Sequence, residues 1–214
     1  RLGGPEIRRP PTEEQLAFGG GPRGPQVLPG TYTVKLTVND KMFDQQVEVK
    51  LDPSITTPVS ELQETQTMMV KLRDMQSTIN SSLRFLDSVK EQLKHTQTTM
   101  KNLHKEPDKD MTKALDDYIK ALDTLTDRLS ARDEGLGFAG KAQVSDDIGN
   151  LYFSLDSNFG PTLGQRQYFG EIEPAYRTRV DEVNKFLSQT LPQWNERLRA
   201  WGAPTLTTRK PLEP

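Results

Sequence analysis

The fold turns on residues 65–103, TQTMMVKLRDMQSTINSSLRFLDSVKEQLKHTQTTMKNL. Thr65, Leu72, Ile79, Leu86, Leu93 and Met100 recur every seven residues, and Met68, Met75, Val89 and Leu103 follow three positions behind. Ser82 and Thr96 are polar gaps in that stripe. An apolar seam sustained over about five heptads is the pattern of a helix packed lengthwise against other helices. A helix over 60–105 would be about 68 Å long at ~1.5 Å per residue. Thr57-Pro58, or Ser60 with Gln63 as a capping box, opens it, and Pro107 stops it.

Working toward the C-terminus, Met111, Leu115, Tyr118, Leu122, Leu125 and Leu129 mark a second helix starting at Asp108 or Asp110. Gly135, Gly137 and Gly140 break it. Ser145 is placed to cap a short third helix with Ile148, Leu151, Leu155 and Phe159 inward, ended by Gly160-Pro161. Thr162 and Gln165 form a capping box for the last helix. Its seam is Phe169, Ile172, Tyr176, Val183, Leu187, Trp194, Leu198 and Trp201, with a kink or break at Pro174 and Pro192. The lengths favour a long antiparallel three-stranded bundle whose middle strand is broken near residues 133–144. A compact four-helix bundle results if the third helix reverses direction.

Working toward the N-terminus, the periodicity changes from helical to two. Tyr32, Val34, Leu36 and Val38 alternate with polar residues, and after Asn39-Asp40 come Phe43, Val47, Val49 and Leu51 at odd positions. Asn and Asp both tolerate positive φ, so this reads as a β-hairpin. Gln45 takes one inward slot of the second strand, which predicts a bulge or an exposed end there. A lone hairpin is marginal in water. It must therefore pack on the helices, or its sheet is completed by polypeptide outside these 214 residues. The fold class is α+β, mostly α. Residues 1–30 form a Gly/Pro-rich loop with extended pieces and 31–52 the hairpin. A linker over 53–59 leads to the helical bundle over 60–202 and a loose tail over 203–214.

Composition limits the function. The chain has 28 basic and 30 acidic residues, net charge −2, with 33% hydrophobic residues and no cysteine; its mean hydropathy is −0.70. That charge balance argues against nucleic acid as a partner. The missing cysteine excludes disulfides, thiolate zinc sites and cysteine nucleophiles. No apolar run is long enough to span a membrane. Arg1 follows no Met or signal-peptide pattern, so a processed or partial chain is expected.

No residue set points to catalysis, a cofactor or a metal. His95 and His104 lie nine apart on one helix without a shared face, as surface histidines do. Asp108, Asp110, Asp116, Asp117, Asp123 and Asp127 lack the spacing of a calcium loop and suit a solvated face. Ser154-Leu155-Asp156 with Gly160 echoes a sialidase-type Asp box, but the glycine is two positions late and the tryptophan is missing. Gly19-Gly20-Gly21 lacks the Lys-Ser/Thr of a phosphate loop. Asn80-Ser81-Ser82 fits a glycosylation sequon in the middle of a helix. Met68, Met69, Met75, Met100 and Met111, like Trp194 and Trp201, have the spacing of core residues. No serine or threonine has a base beside it, so the chain is read as non-catalytic.

Pro29-Gly30-Thr31-Tyr32-Thr33-Val34-Lys35-Leu36-Thr37-Val38, followed by Val47-Glu48-Val49-Lys50-Leu51-Asp52-Pro53, resembles the last two strands of an Ig-like module of the flagellar hook-capping type. Such a module lies near the C-terminus of large bacterial secreted proteins with sortilin-like, BNR-repeat β-propellers. Leu151-Tyr152 through Pro161-Thr162 and Gln165-Arg166, leading into a long helix, is similar to the helical tail of that family. The resemblance spans most of residues 1–202. It implies an extracellular, cell-surface or periplasmic location and an upstream propeller that carries any ligand or glycan site. Proteins of this kind are often described as glycosyl hydrolases on account of propeller repeats, which this chain lacks. It also implies that the earlier strands of the module lie outside this chain.

The resulting expectation is a structural and interaction module. Tyr32, Val34, Leu36, Val38, Phe43, Val47 and Val49 would contact a partner, namely the upstream strands and propeller or another subunit of a larger assembly. Rival readings are an accessory segment of a glycoside- or peptide-processing enzyme whose active site lies upstream, and a free-standing coiled-coil adaptor.

Overall fold

A computed structural model of the chain describes residues 1–10, 12–13, 17, 23–131 and 141–213. Gly19-Gly20-Gly21 and the expected break at Gly135, Gly137 and Gly140 fall outside the described residues. The chain is mostly helical, at 60% of residues. In order come β1 (Gly30–Val38), β2 (Lys41–Val49), α1 (Val59–Asn102), α2 (Lys109–Leu129), α3 (Val144–Ser154), α4 (Leu163–Lys185), a π turn (Phe186–Thr190) and α5 (Leu191–Trp201).

The heptad stripe is the buried face of α1. Thr65, Met68, Leu72, Met75, Ile79, Ser82, Leu86, Val89, Leu93, Thr96 and Met100 are all buried, joined by Met69 and Leu83. Leu103 is the exception and is exposed. The helix has already closed there: His104 takes φ +55°, and the Lys105 and His104 amides donate to the Met100 and Lys101 carbonyls, each at 3.0 Å. This left-handed C-cap turns the chain before Pro107. At the other end no side chain caps α1. The helix begins at Val59, which puts Ser60 inside the first turn and leaves no Ser60–Gln63 box.

Asp108 caps α2, accepting from the Met111 amide at 2.7 Å. The cap of α3 is Gln143, boxed with Asp146, and not Ser145, whose hydroxyl accepts from Gln76 of α1 at 2.8 Å. Because α3 stops at Ser154, Phe159 lies beyond it and is exposed. Thr162 and Gln165 form the expected box. Pro174 is carried inside α4 without a break in the helix. At Pro192 the turn loosens: the Leu191 amide donates to the Phe186 carbonyl, a π-type bond. Proline has no N–H and crowds the carbonyl four residues back, so a wider turn relieves both problems.

Side-chain pairs fix the order of the helices. Lys90 of α1 bonds Asp123 of α2, and Gln76 bonds Ser145 of α3, so α2 and α3 run against α1. The Arg166 guanidinium of α4 forks onto Glu64 at 2.6 and 2.7 Å, and Lys71 lies over the Phe169 ring, so α4 runs with α1. One core joins them, from Leu72, Ile79 and Leu86 through Leu115, Leu122 and Ile148 to Val180, Leu191 and Leu198.

Both ends of the chain lie on this helical body. The N-terminal arm runs along α1: the Glu6 amide donates to Ser77 at 3.0 Å, Asn80 donates to the Glu6 carbonyl at 2.7 Å, and Arg8 forks onto Asp87. Residues 203–213, expected as a loose tail, are strapped down with Ala203 and Leu206 buried. The reason is hydrogen bonding from Asn195 and Asn184 to the strap backbone.

Candidate protein-interaction surface

The hairpin forms as expected at its turn. Asn39 and Asp40 adopt φ 46° and 64°, the pair of left-handed residues that a two-residue primed turn requires. The ladder pairs Tyr32 with Val47, Val34 with Gln45, Leu36 with Phe43 and Val38 with Lys41, one to one and without interruption. The bulge expected at Gln45 is therefore absent. Gln45 sits in plain register because a facing sheet does not force it inward.

Alternation divides the ribbon into two unlike faces. Tyr32, Val34, Leu36, Val38, Phe43, Val47 and Val49 share one with Lys41 and Gln45. Thr31, Thr33, Lys35, Thr37, Asp44, Gln46 and Glu48 share the other with Met42, and Lys35 stands opposite Asp44. Of the seven residues expected to contact a partner, all but Val49 are exposed. Neither strand packs on any helix. Val34 is 54% exposed, Leu36 59% and Phe43 56%, while Val49, at the root, is half-buried. Among the described residues the sheet consists of these two strands.

The root of the hairpin is held firmly. The Asp52 carboxylate accepts from the Ser54 hydroxyl at 2.6 Å and the Ser54 amide at 2.8 Å, which holds its carboxyl below the usual carboxylate range. Thr57 donates to the Asn158 carbonyl at 2.8 Å, and Gln66 of α1 donates to the Gln26 carbonyl at 2.6 Å. Both segments flanking the hairpin are thus hydrogen-bonded to α1 or to the α3–α4 connection.

A cleft of about 850 Å³ lies between the N-terminal arm, α1 and α3, with Arg8, Gln76, Asn80, Asp146, Tyr152 and Asp156 in its walls. Its polar groups are engaged within the chain: Asp146 accepts from the Ala131 and Gln143 amides at 3.0 and 2.9 Å. Arg8 is paired with Asp87 and Asp156 with Arg1, and the Tyr152 hydroxyl donates to the Arg23 carbonyl at 2.6 Å. Asn80, the sequon residue, is committed to the N-terminal arm.

The other singled-out residues occupy structural positions. His95 and His104 are exposed. Met68, Met69, Met75 and Met100 are core, and Met111 packs against it half-buried. Trp194 stacks on Tyr118, while Trp201 is half-buried. Ser154 donates to the Leu151 carbonyl of its own helix. Among the described residues no three His, Cys, Asp or Glu side chains converge as a metal site would need, and no helix is long and apolar enough to cross a membrane. Sequence reasoning missed the side chains that hold the two chain ends. Asn184, Asn195, Gln92 and Arg84 bond backbone from remote segments and leave no periodic signal. Compared with family models, curated proteins and solved structures, the chain matches none.

Proposed function

We propose that this chain is a non-catalytic structural and interaction module whose hairpin completes an Ig-like sheet supplied by upstream polypeptide or by another subunit. The helices would form a long antiparallel bundle acting as a spacer or docking rod. The setting would be a secreted or cell-surface β-propeller protein. One observation carries this reading: a ribbon with one mainly apolar and one mainly polar face, whose apolar side chains are exposed apart from Val49 at its root.

Physical chemistry favours a partner on that face. A two-stranded ribbon is marginal in water by itself, and a contiguous exposed apolar patch marks an interaction site. Both hairpin edges present free backbone groups, so strand addition supplies affinity through main-chain hydrogen bonds. The polar face, with Lys35 opposite Asp44, suits the outer layer of a sandwich, where one face of each strand meets water.

The test is intact mass spectrometry with peptide mapping on the native protein, followed by amide hydrogen exchange across β1 and β2. Peptides extending upstream of Arg1 into a propeller, with slow exchange at Val34 and Leu36, are the expected result. A native chain that starts at Arg1, copurifies with nothing and exchanges freely across the hairpin sinks the proposal. The free-standing helical adaptor would then take its place.

A further inference from the structure

We infer that the strand added to this sheet is β1 of a second copy of the same chain, paired antiparallel across a two-fold axis at Val34. This pairing, which rests on the reading of the hairpin as an unfinished sheet, names the subunit that finishes it. The turn decides which backbone groups are free. A two-residue turn at Asn39-Asp40 makes Val38 and Lys41 the hydrogen-bonded pair that closes it. Bonded and non-bonded pairs alternate along an antiparallel ladder. Leu36, Val34, Tyr32 and Gly30 therefore turn their backbone groups to β2, while Thr37, Lys35, Thr33 and Thr31 turn theirs outward. On the other edge β2 turns out Met42, Asp44, Gln46 and Glu48, so pairing there would bring acidic residues of low β propensity into the seam. Of the devices that keep an edge unpaired, a proline, a bulge or a covering element, the nine exposed residues of β1 have none.

Two copies of β1 complement each other. The antiparallel register that overlaps all nine residues sets Thr31 opposite the partner's Thr37, Thr33 opposite the partner's Lys35, and Val34 opposite itself. Each outward residue thus meets an outward residue. Tyr32 falls beside the partner's Leu36, so the apolar side chains share one face across the seam. Lys35 is the only charge in the strand, and it already stands opposite Asp44 on its inner side. Sliding the strands until the two lysines face each other would shorten the overlap and oppose like charges, which fixes the register. Antiparallel pairing also sets the two hairpin roots at opposite ends of the seam, about 30 Å apart at ~3.3 Å per residue. A two-stranded ribbon is marginal in water, whereas three or more strands with an apolar face can be stable. A two-fold dimer is also the commonest closed assembly, because one self-complementary patch serves both copies.

The test uses the full chain, which has no cysteine, with single cysteines placed on β1 and disulfide-linked dimer read on non-reducing gels. Across the two-fold axis Val34 meets itself in a non-hydrogen-bonded pair with Cα atoms about 4.5 Å apart, within disulfide reach. Val34→Cys should cross-link at least tenfold faster than Tyr32→Cys or Leu36→Cys, whose cysteines lie about 13 Å along the strand from their own copies. A mixture of Thr31→Cys and Thr37→Cys should cross-link at least tenfold faster than either alone, although both residues lie on the polar face. Stacking of two apolar faces, about 10 Å apart, cannot produce that result. Equal rates at positions 32, 34 and 36 overturn the inference, as does a mixture no faster than its components. Sedimentation velocity gives a second readout. The unaltered chain should sediment as a dimer, and Thr33→Pro, which deletes an outward N–H and no bond to β2, as a monomer with unchanged helix content. A monomeric unaltered chain overturns the self-pairing. If native material then carries peptides upstream of Arg1 and a protected hairpin, the proposed function stands with those upstream strands as the partner.

Discussion

The ring of Tyr118 on α2 lies over that of Trp194 on α5, with centroids 4.5 Å apart and planes 14° from parallel. The stack continues to Phe186 at 6.0 Å and ties the middle of the chain to its last helix. It carries a cost, because the Tyr118 hydroxyl and the Trp194 indole N–H are both buried without a hydrogen-bond partner. Tyr118→Phe keeps the stacking and removes an unsatisfied hydroxyl, which is worth about 1–2 kcal/mol where nothing replaces the bond to water. Thermal and urea denaturation should show unchanged or increased stability; a loss beyond about 1 kcal/mol would mean that the hydroxyl has a partner.

The same residue governs behaviour in alkali. Burial raises the Tyr118 phenol well above its usual value near 10, and burial likewise raises Tyr176. Below that usual value both folded and unfolded chains keep these protons, and these two phenols add nothing to the pH dependence of stability. As pH rises past it, the unfolded chain releases protons that the folded chain retains, so stability falls. Urea midpoints should therefore decline above about pH 10, and Tyr118→Phe should make the decline shallower. An identical slope in the two proteins would refute the assignment.

The N-terminal arm depends on one close approach. A Cβ at Gly24 would fall on the backbone carbonyl of Leu2, whose amide donates to the Pro25 carbonyl at 2.7 Å. Two backbones cannot both give way without parting. Gly24→Ala should free the arm from α1, breaking the Arg8–Asp87 fork and exposing the Arg8–Arg9 bond. Trypsin should cut there at least tenfold faster, an acceleration of about 1.4 kcal/mol in the opening equilibrium. Unchanged cleavage would show the arm held by its other contacts alone.

What the sequence shows and what it hides follow from the range of each interaction. The stripe from Thr65 to Met100 and the run from Leu115 to Leu129 are local periodicities, and each face is buried where its spacing puts it, apart from the half-buried Leu125. Asn39-Asp40 is a local turn signal and also legible. Asn195 with Leu206 and Arg8 with Asp87 join remote backbone or charge to a helix face, and no window of sequence contains both partners. Gln143 took the cap expected of Ser145 because Gln76 offered that hydroxyl a better partner across the helices. The apolar residues from Tyr32 to Val49 were legible as one face. No window of sequence says whether anything covers that face.

The hairpin should be silent in the stability of the isolated chain. Leu36 is exposed and lies outside the core, so Leu36→Lys removes no core contact, and surface changes of that kind stay within about 0.5 kcal/mol. Helix melting followed at 222 nm (a standard far-UV band, ~222 nm) should be unaltered, while apolar-dye binding to the chain should drop. A cooperative loss of helix stability would mean that the ribbon folds back onto the helical body in solution.

The left-handed residue at the end of α1 gives the last expectation. His104 sits at φ +55° in the position where helices most often place glycine. An L-residue there costs about 1–2 kcal/mol relative to its preferred region, partly offset in glycine by the entropy of the unfolded chain. The His104 ring is exposed and makes no core contact, so nothing is lost with it. His104→Gly should stabilise the chain by about 0.5–1 kcal/mol. His104→Val should destabilise it, since a β-branched residue suits that conformation worst. Chemical denaturation of the two variants checks the sign directly. If both shift the midpoint the same way, the α1–α2 turn must relax out of its left-handed cap in solution.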